Sequence, residues 1–301
     1  MVERVVITGC TGAIGMAFLQ KCIEENIEVL AICHRGSKRI QNIPKHTLIT
    51  VQECDLAELK NLQVASEDSY DVFYHLAWNG TFGDARNNMY LQNENVTHTL
   101  DAVQLAKRLG CHTFIGTGSQ AEYGRVEGIL RPHTPTNPEN GYGIAKLCAG
   151  HMSRILCEQL DMKHIWTRIL SVYGPYDGAE TMVSSTIRKL QSGQVPKCTL
   201  GEQLWDYLHS SDAANALYLM GIHGSNGATY VLGSGQARPL KEYIQIMCQV
   251  YNPKIKPALG AVPYGKNQVM HLEADITELV RDTGFCVEVK FEEGIGLVDK
   301  P

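Results

Sequence analysis

The chain has 301 residues, 44% hydrophobic and 20% charged, with a formal net charge of −5. That length can bury a large core and suits one nucleotide domain plus a smaller lobe. The balance lacks the basic excess and arginine-rich stripe of a nucleic-acid binder, and no apolar run reaches membrane length. The first strand begins within a few residues of Met1, which leaves no signal-peptide core. Ten cysteines are scattered with no Cys-x-x-Cys, and several, including Cys22, Cys148 and Cys157, fall in helical stretches among apolar residues. They read as buried free thiols, which implies a reducing cytoplasm. The 11 His show no zinc-like spacing, so no metal site is expected.

In chain order, hydrophobic runs predict strands at 4–8, 28–33, 47–51, 71–77, 112–117 and 164–170. Helical patterns fall between them at 13–25, 56–65, 87–109 and 141–160. This alternation predicts βαβ units on a parallel sheet, a Rossmann-type doubly wound α/β fold. Ligands of such sheets bind beyond the carboxyl ends of the strands, so the loops after Thr8, Cys33, Ala77, Thr117 and Leu170 are the ones of interest. Past Tyr176 the alternation loosens, with helices near 181–192, 211–222 and 239–251 and short apolar runs at 229–232 and 286–291. Residues 1–175 are therefore expected to form the dinucleotide domain and residues 176–301 a small α/β lobe closing over its cleft.

The strand Val5-Val6-Ile7-Thr8 runs straight into Gly9-Cys10-Thr11-Gly12-Ala13-Ile14-Gly15 and then a helix. Strand, glycine turn and helix in that order are the context of a dinucleotide fingerprint, with the pyrophosphate on free N–H groups at the positive helix end. Tyr142 and Lys146 lie four residues apart in Gly141-Tyr142-Gly143-Ile144-Ala145-Lys146, on one face of a helix. An ammonium beside a phenol lowers the Tyr pKa toward the working pH and suits the phenol to proton transfer. With 13 Tyr and Lys at roughly one residue in twenty, about 0.6 such pairs arise by chance. The glycine loop is what gives this pair a task.

Jointly these segments resemble the extended short-chain dehydrogenase/reductase family, in its nucleotide-sugar epimerase, dehydratase and reductase branch, over nearly the whole chain. Thr8 to Gly15 is similar to the family's Thr-Gly-x-x-Gly-x-x-Gly, and Tyr142 to Lys146 to its catalytic Tyr-x-x-x-Lys. The resemblance makes Ser119, in Gly118-Ser119-Gln120-Ala121-Glu122-Tyr123-Gly124, the third catalytic member. It puts Asp55-Leu56 against the adenine, and Leu76 and Ala77 of His75-Leu76-Ala77 along the cofactor. Thr117, Ile169 and Val172 join Thr11, Ala13 and Ile14 in the implied cofactor site, and Asn95 matches an Asn of the central helix. Ser119 and Tyr142 together can donate to one developing alkoxide, while Lys146 serves the phenol and the nicotinamide ribose. Trp78, Glu122 and Tyr123 are expected to face the sugar, with packing as the alternative for each.

The departures from the pattern carry information. The second strand ends in Ala31-Ile32-Cys33-His34-Arg35-Gly36-Ser37-Lys38-Arg39, with cations and no acid where an NAD-selective enzyme places a carboxylate. His34 and Arg35 suit a 2′-phosphate, which favours NADP and leaves NAD possible. Gln120 and Ala121 replace the acidic pair of the family's dehydratases, and neither shuttles a proton at neutral pH. Ser171 stands where the family has a substrate-binding Asn, and Trp205-Asp206 where it has Arg-Asp, so a diphosphate-clamping Arg is missing. Arg188, Lys197 and Arg238 are candidates to replace it, and Ser171 and Trp205 are taken as substrate contacts. The expected activity is reduction of a nucleotide-linked 4-keto-6-deoxyhexose, with a 4-epimerase on retained NAD or a catalytically silent nucleotide sensor as alternatives. A homodimer is expected through 87–109 and 141–160, because Ile144, Leu147, Cys148, Ile155, Leu156 and Leu160 spread over more than one stripe.

Overall fold

The computed structural model describes residues 2–64 and 69–298. Seven strands form one parallel sheet in the order β10-β6-β5-β4-β1-β2-β3: Thr229–Leu232, Lys163–Ile169, Thr113–Ser119, Val72–His75, Arg4–Thr8, Glu28–Cys33 and Ile49–Glu53. Its inner strands are near-continuous apolar runs because both faces are covered. Successive side chains go to opposite faces. Val5 and Ile7 join one core with helices α1 (Ala13–Glu24) and α5 (Ser210–His223). Val6 joins the other with α2 (Met89–Arg108) and α3 (Gly141–Gln159). The carboxyl ends of β1, β4, β5 and β6 therefore meet at one edge, between the two helical layers.

Three expectations shift here. The third strand runs two residues later than 47–51, paired so that Cys33 faces Glu53. The helix expected at 56–65 is a 3-10 turn over Leu56–Asn61, in which only Leu59 is fully buried; residue 65 lies outside the described residues. One anchoring side chain over six residues does not repay helix nucleation. The apolar run 286–291 leads into a helical turn at Phe291–Gly294.

The third is the division at 175/176. Tyr230, Val231 and Leu232 are buried and pair with Thr167, Arg168 and Ile169 as the seventh strand of the large sheet. α5 packs on α1, so much of 207–232 belongs to the first unit and no single cut separates the two. The smaller part has its own core, where α4 (Met182–Gln191) and α6 (Leu240–Tyr251) enclose Ile187, Leu190, Ile244 and Met247. The three-stranded sheet β11-β8-β12 (Arg238–Pro239, Leu204–Trp205 and His271–Leu272) lies beside it.

Candidate active site

Gly9 leaves β1 at φ +78°, and a Cβ there would stand 2.7 Å from the Ala77 amide nitrogen. Glycine is the residue that permits both the turn and this approach of the chain after β4. Gly12 then caps α1 with no side-chain cap, and the first turn carries no acid. Unsatisfied N–H groups and the positive end of the helix dipole are left for an anion. They open on a cleft of about 320 Å³ whose walls include Gly9, Gly12, Ala13, Ile14 and Gly15. Leu76, Trp78, Thr117, Ser119, Tyr142, Lys146, Ile169 and Val172 form much of the rest. A glycine-lined cradle at a helix N-terminus, continuous with a serine, a tyrosine and a lysine, fits a dinucleotide in both shape and donor set.

Tyr142 and Lys146 are brought there by the first turns of α3, whose start is fixed by Asn140 Oδ1 accepting from Gly143 N at 2.8 Å. Tyr142 is buried, and burial holds its phenol above the usual value while the Ser119 hydroxyl and the Arg86 guanidinium act to lower it. Lys146 is 5.9 Å from the Tyr142 ring centre and lies 3.9 Å over the Trp78 ring. Its Nζ donates to the Thr117 carbonyl at 2.6 Å, and burial pushes the ammonium down to about 7, opposed by Glu122. The expected depression of the phenol is thus corrected: burial outweighs the downward pull of Ser119 and Arg86. Below pH 7 Lys146 is charged, and with one donor spent on Thr117 it keeps two for the cleft.

Glu122 and Tyr123 do not face the cleft. Glu122 is fully buried and closes a capping box after β5, accepting from Ser119 N at 2.9 Å. It also accepts from Trp166 Nε1 at 3.1 Å and from Arg168 Nε at 2.7 Å. Tyr123 is buried beneath Arg168, with its hydroxyl donating to the Arg131 carbonyl at 2.8 Å. Both follow from the 3-10 turn 120–122, which turns these side chains into the protein behind Ser119.

Other residues singled out in the sequence are engaged with partners of their own. Asp55 Oδ1 accepts from Arg35 N at 3.0 Å and pairs with His34 Nδ1 at 2.6 Å, while Arg35 pairs with Glu58 at 2.5 Å. His34 and Arg35 are exposed at the end of β2, and Leu56 packs on the second core. Thr11 is half-buried in the glycine loop, and Ala77 N donates to Thr8 Oγ1 at 3.3 Å. Trp205 Nε1 donates to Ser171 Oγ at 2.8 Å, a link between two supposed substrate contacts. Of the candidate clamps, Arg238 pairs with Glu292 at 2.5 Å, Arg188 binds the Ala179 carbonyl, and Lys197 is exposed. Asn95 holds the chain after β4 by bonding both the amide and the carbonyl of Asn79 at 2.9 Å.

Sequence reasoning passed over Thr81, Phe82, Leu170 and Asp177, all on the cleft wall, and Arg86, which sits on Tyr142. Arg86 lies in the 3-10 turn Gly83–Asn87. Gly80, just before that turn, and Gly83 and Asp84 within it mark a loop, but no spacing rule says that it folds back over Tyr142. All ten cysteines are free; Cys22 and Cys157 are buried and Cys148 is exposed, against expectation, because α3 turns that position outward.

Fold and site together define an enzyme of the extended short-chain dehydrogenase/reductase type. A model of the NAD dependent epimerase/dehydratase family matches residues 5–233, and the chain belongs to that family. It is 24% identical over 298 residues to a CDP-abequose synthase of Salmonella muenchen, covering 97% of this chain and 96% of that protein. The crystal structure of a UDP-glucose 4-epimerase from Thermotoga maritima with UDP-glucose shares the fold at a TM-score of 0.88, with 20% identity over 98% of this chain and 97% of that one. A dTDP-glucose 4,6-dehydratase from Bacillus anthracis in complex with NAD gives a TM-score of 0.83, with 19% identity over 97% of this chain and 94% of the other.

Proposed function

We propose that the protein is an NADPH-dependent reductase of a nucleotide-linked 4-keto-6-deoxyhexose. The observation that carries this is the fate of the carboxylates around Ser119. Gln120 and Ala121 cannot exchange protons at neutral pH, and Glu122 is buried with three donors on it. The carboxylate that does line the cleft, Asp177, accepts from Thr181 Oγ1 at 2.8 Å and Gly178 N at 2.7 Å. The cleft offers a phenol and a hydroxyl for one proton, which suits carbonyl reduction better than elimination of water. The CDP-abequose synthase matched end to end is named for making a nucleotide-linked sugar, and the matched epimerase holds one.

Gly9, Gly12 and the first turn of α1 would hold a nicotinamide dinucleotide, which would supply the hydride. Tyr142 gives its proton to the oxygen that becomes an alcohol, and Ser119 donates a second hydrogen bond to that oxygen. Losing one such donor commonly costs about 3–4 kcal/mol of barrier. Lys146, fixed on the Thr117 carbonyl, directs its remaining donors to the ribose and restores the proton through the phenol. Leu76, Ile169 and Val172 exclude water from the apolar face. Arg35, with Lys38 and Arg39 beyond it, receives the 2′-phosphate, and the lobe around α4 and α6 holds the nucleotide of the substrate.

One observation favours the runner-up, a 4-epimerase with retained NAD: Arg35 is already paired with Glu58, and Glu53 accepts from Gly36 N at 2.7 Å, so a 2′-phosphate meets two carboxylates. The dimer belongs to the same proposal. α3 presents Ile144, Met152 and Ile155, all exposed, beside Cys148, whereas Leu156 packs half-buried on the second core and is not an outward position. Titrating the protein with NADPH and NADH, then following absorbance against a panel of nucleotide 4-keto sugars, tests the reading. Tighter NADPH binding and NADPH consumption support it; tighter NADH binding without net oxidation favours the epimerase.

A further inference from the structure

We propose that Arg86 is a positioning residue for the catalytic phenol: its guanidinium lies on the face of the Tyr142 ring and holds it, in its ionised form most of all, at the cleft. This rests on the reading of Tyr142 as the proton donor and adds to it a residue outside the serine, tyrosine and lysine set. The guanidinium carbon is 4.5 Å from the ring centre, nearer than the Lys146 ammonium at 5.9 Å. Trp78 meets the same ring edge-on at 6.1 Å and 88°. One cation thus stacks on Tyr142 while the other is drawn to Trp78 and Thr117.

The placement is built, because the loop carrying Arg86 is tied on both sides. Gln92 Nε2, on α2, donates to the Gly80 carbonyl at 2.8 Å and to the Ala85 carbonyl at 2.9 Å. Asn87 Oδ1 accepts from Gly141 N at 3.1 Å, which fastens the loop to the residue before Tyr142. Arg86 Nη1 donates to the Thr81 carbonyl at 3.2 Å, which ties the guanidinium to its own loop. A planar cation over an aromatic face is attracted by the ring quadrupole, and more so once the ring carries a phenolate charge. The charged groups around the ring are then Arg86 from this loop, Lys146 from α3 at 5.9 Å and the Glu122 carboxylate behind β5, with the Ser119 hydroxyl as hydrogen-bond partner of the phenol. Arg86 also lines a second cavity of about 310 Å³ with Asn87, Gln120 and Asn140, so a ligand seated there would dry the guanidinium and strengthen its pull.

The test replaces tyrosine throughout the full chain by a fluorinated tyrosine, whose lower phenol pKa brings ionisation into the range where the fold is stable. The fluorine resonance of position 142 is identified by its loss in Y142F and titrated in wild type, R86Q and R86K, with thermal unfolding checked for each. R86Q is expected to make the ionisation constant about three- to fivefold smaller, while R86K, which keeps the charge, recovers most of the difference. An unchanged titration in R86Q, or an equal shift in both variants, overturns the proposal and leaves a loop brace. Turnover is measured separately. A shift in R86Q with no wild-type activity on nucleotide keto sugars sinks the functional reading alone, and normal turnover with no shift sinks only this inference.

Discussion

Arg168 donates through Nε to Glu122 at 2.7 Å in the interior behind Ser119, with side chains 8% and 0% exposed. This pair decides more than stability. It keeps the Glu122 carboxylate in the interior rather than on the cleft wall, and Glu122 in turn holds the Ser119 amide at 2.9 Å. The charges sit in low dielectric, so burial works against both ions and their pairing must offset it. Removing one partner leaves an uncompensated charge. R168M is expected to lower the unfolding free energy by about 3–5 kcal/mol, measured by urea denaturation. A stable R168M with altered substrate preference would mean that Glu122 reaches the cleft after all.

Y142F should lose turnover and keep cofactor affinity, since the ring still packs against Trp78 and only the donor is gone. K146M should damage both, because the ammonium braces Thr117 and is available to a ribose. Retention of more than about a tenth of wild-type kcat/KM in Y142F, a barrier change near 1.4 kcal/mol, would contradict the proton-transfer role.

Arg35→Asp should weaken NADP far more than NAD, as it sets a carboxylate against a phosphate at a position already flanked by Glu58. Isothermal titration of both cofactors reads this directly. A wild type that prefers NAD removes the basis of the prediction and raises the epimerase.

Burial pushes both His75 and His164 down to about 3. Their folded values lie below the unfolded one, so the unfolded chain binds more protons between about pH 6.5 and pH 3. Stability is full above that window and is lost as pH falls through it, by about 1.4 kcal/mol per pH unit for each group. His164→Gln, which can still bond Ser153, should flatten the slope of urea-unfolding free energy against pH. An unchanged slope would show that His164 is protonated in the folded protein.

Ile155→Arg, at an exposed position of α3, should turn a dimer into a monomer in sedimentation while leaving the fold intact. A wild-type monomer at micromolar concentration would contradict the helix pairing.

Much of this was legible in the sequence where period and local chemistry agree. The strand, glycine turn and helix at 4–24, and the Tyr142–Lys146 spacing, each depend on neighbours in the chain. What escaped depends on tertiary placement. Tyr230 to Leu232 looked like an isolated run because nothing local says that it returns to β6. Glu122 looked like a pocket residue because its three partners, on β5 and β6, come from as far as 46 positions away. Arg86 reached Tyr142 through a loop whose path is set by Gln92 and Asn87, not by its own sequence.

The most direct test follows a deuterium label. The enzyme is given NADPH deuterated at the transferred position together with a nucleotide-linked 4-keto-6-deoxyhexose, and the product is read by mass spectrometry and NMR. One deuterium at the sugar C4 is expected for each NADPH oxidised, with the label absent in Y142F. Interconversion of the C4 epimers of an unmodified nucleotide sugar, with no label gained and no NADPH consumed, would contradict it.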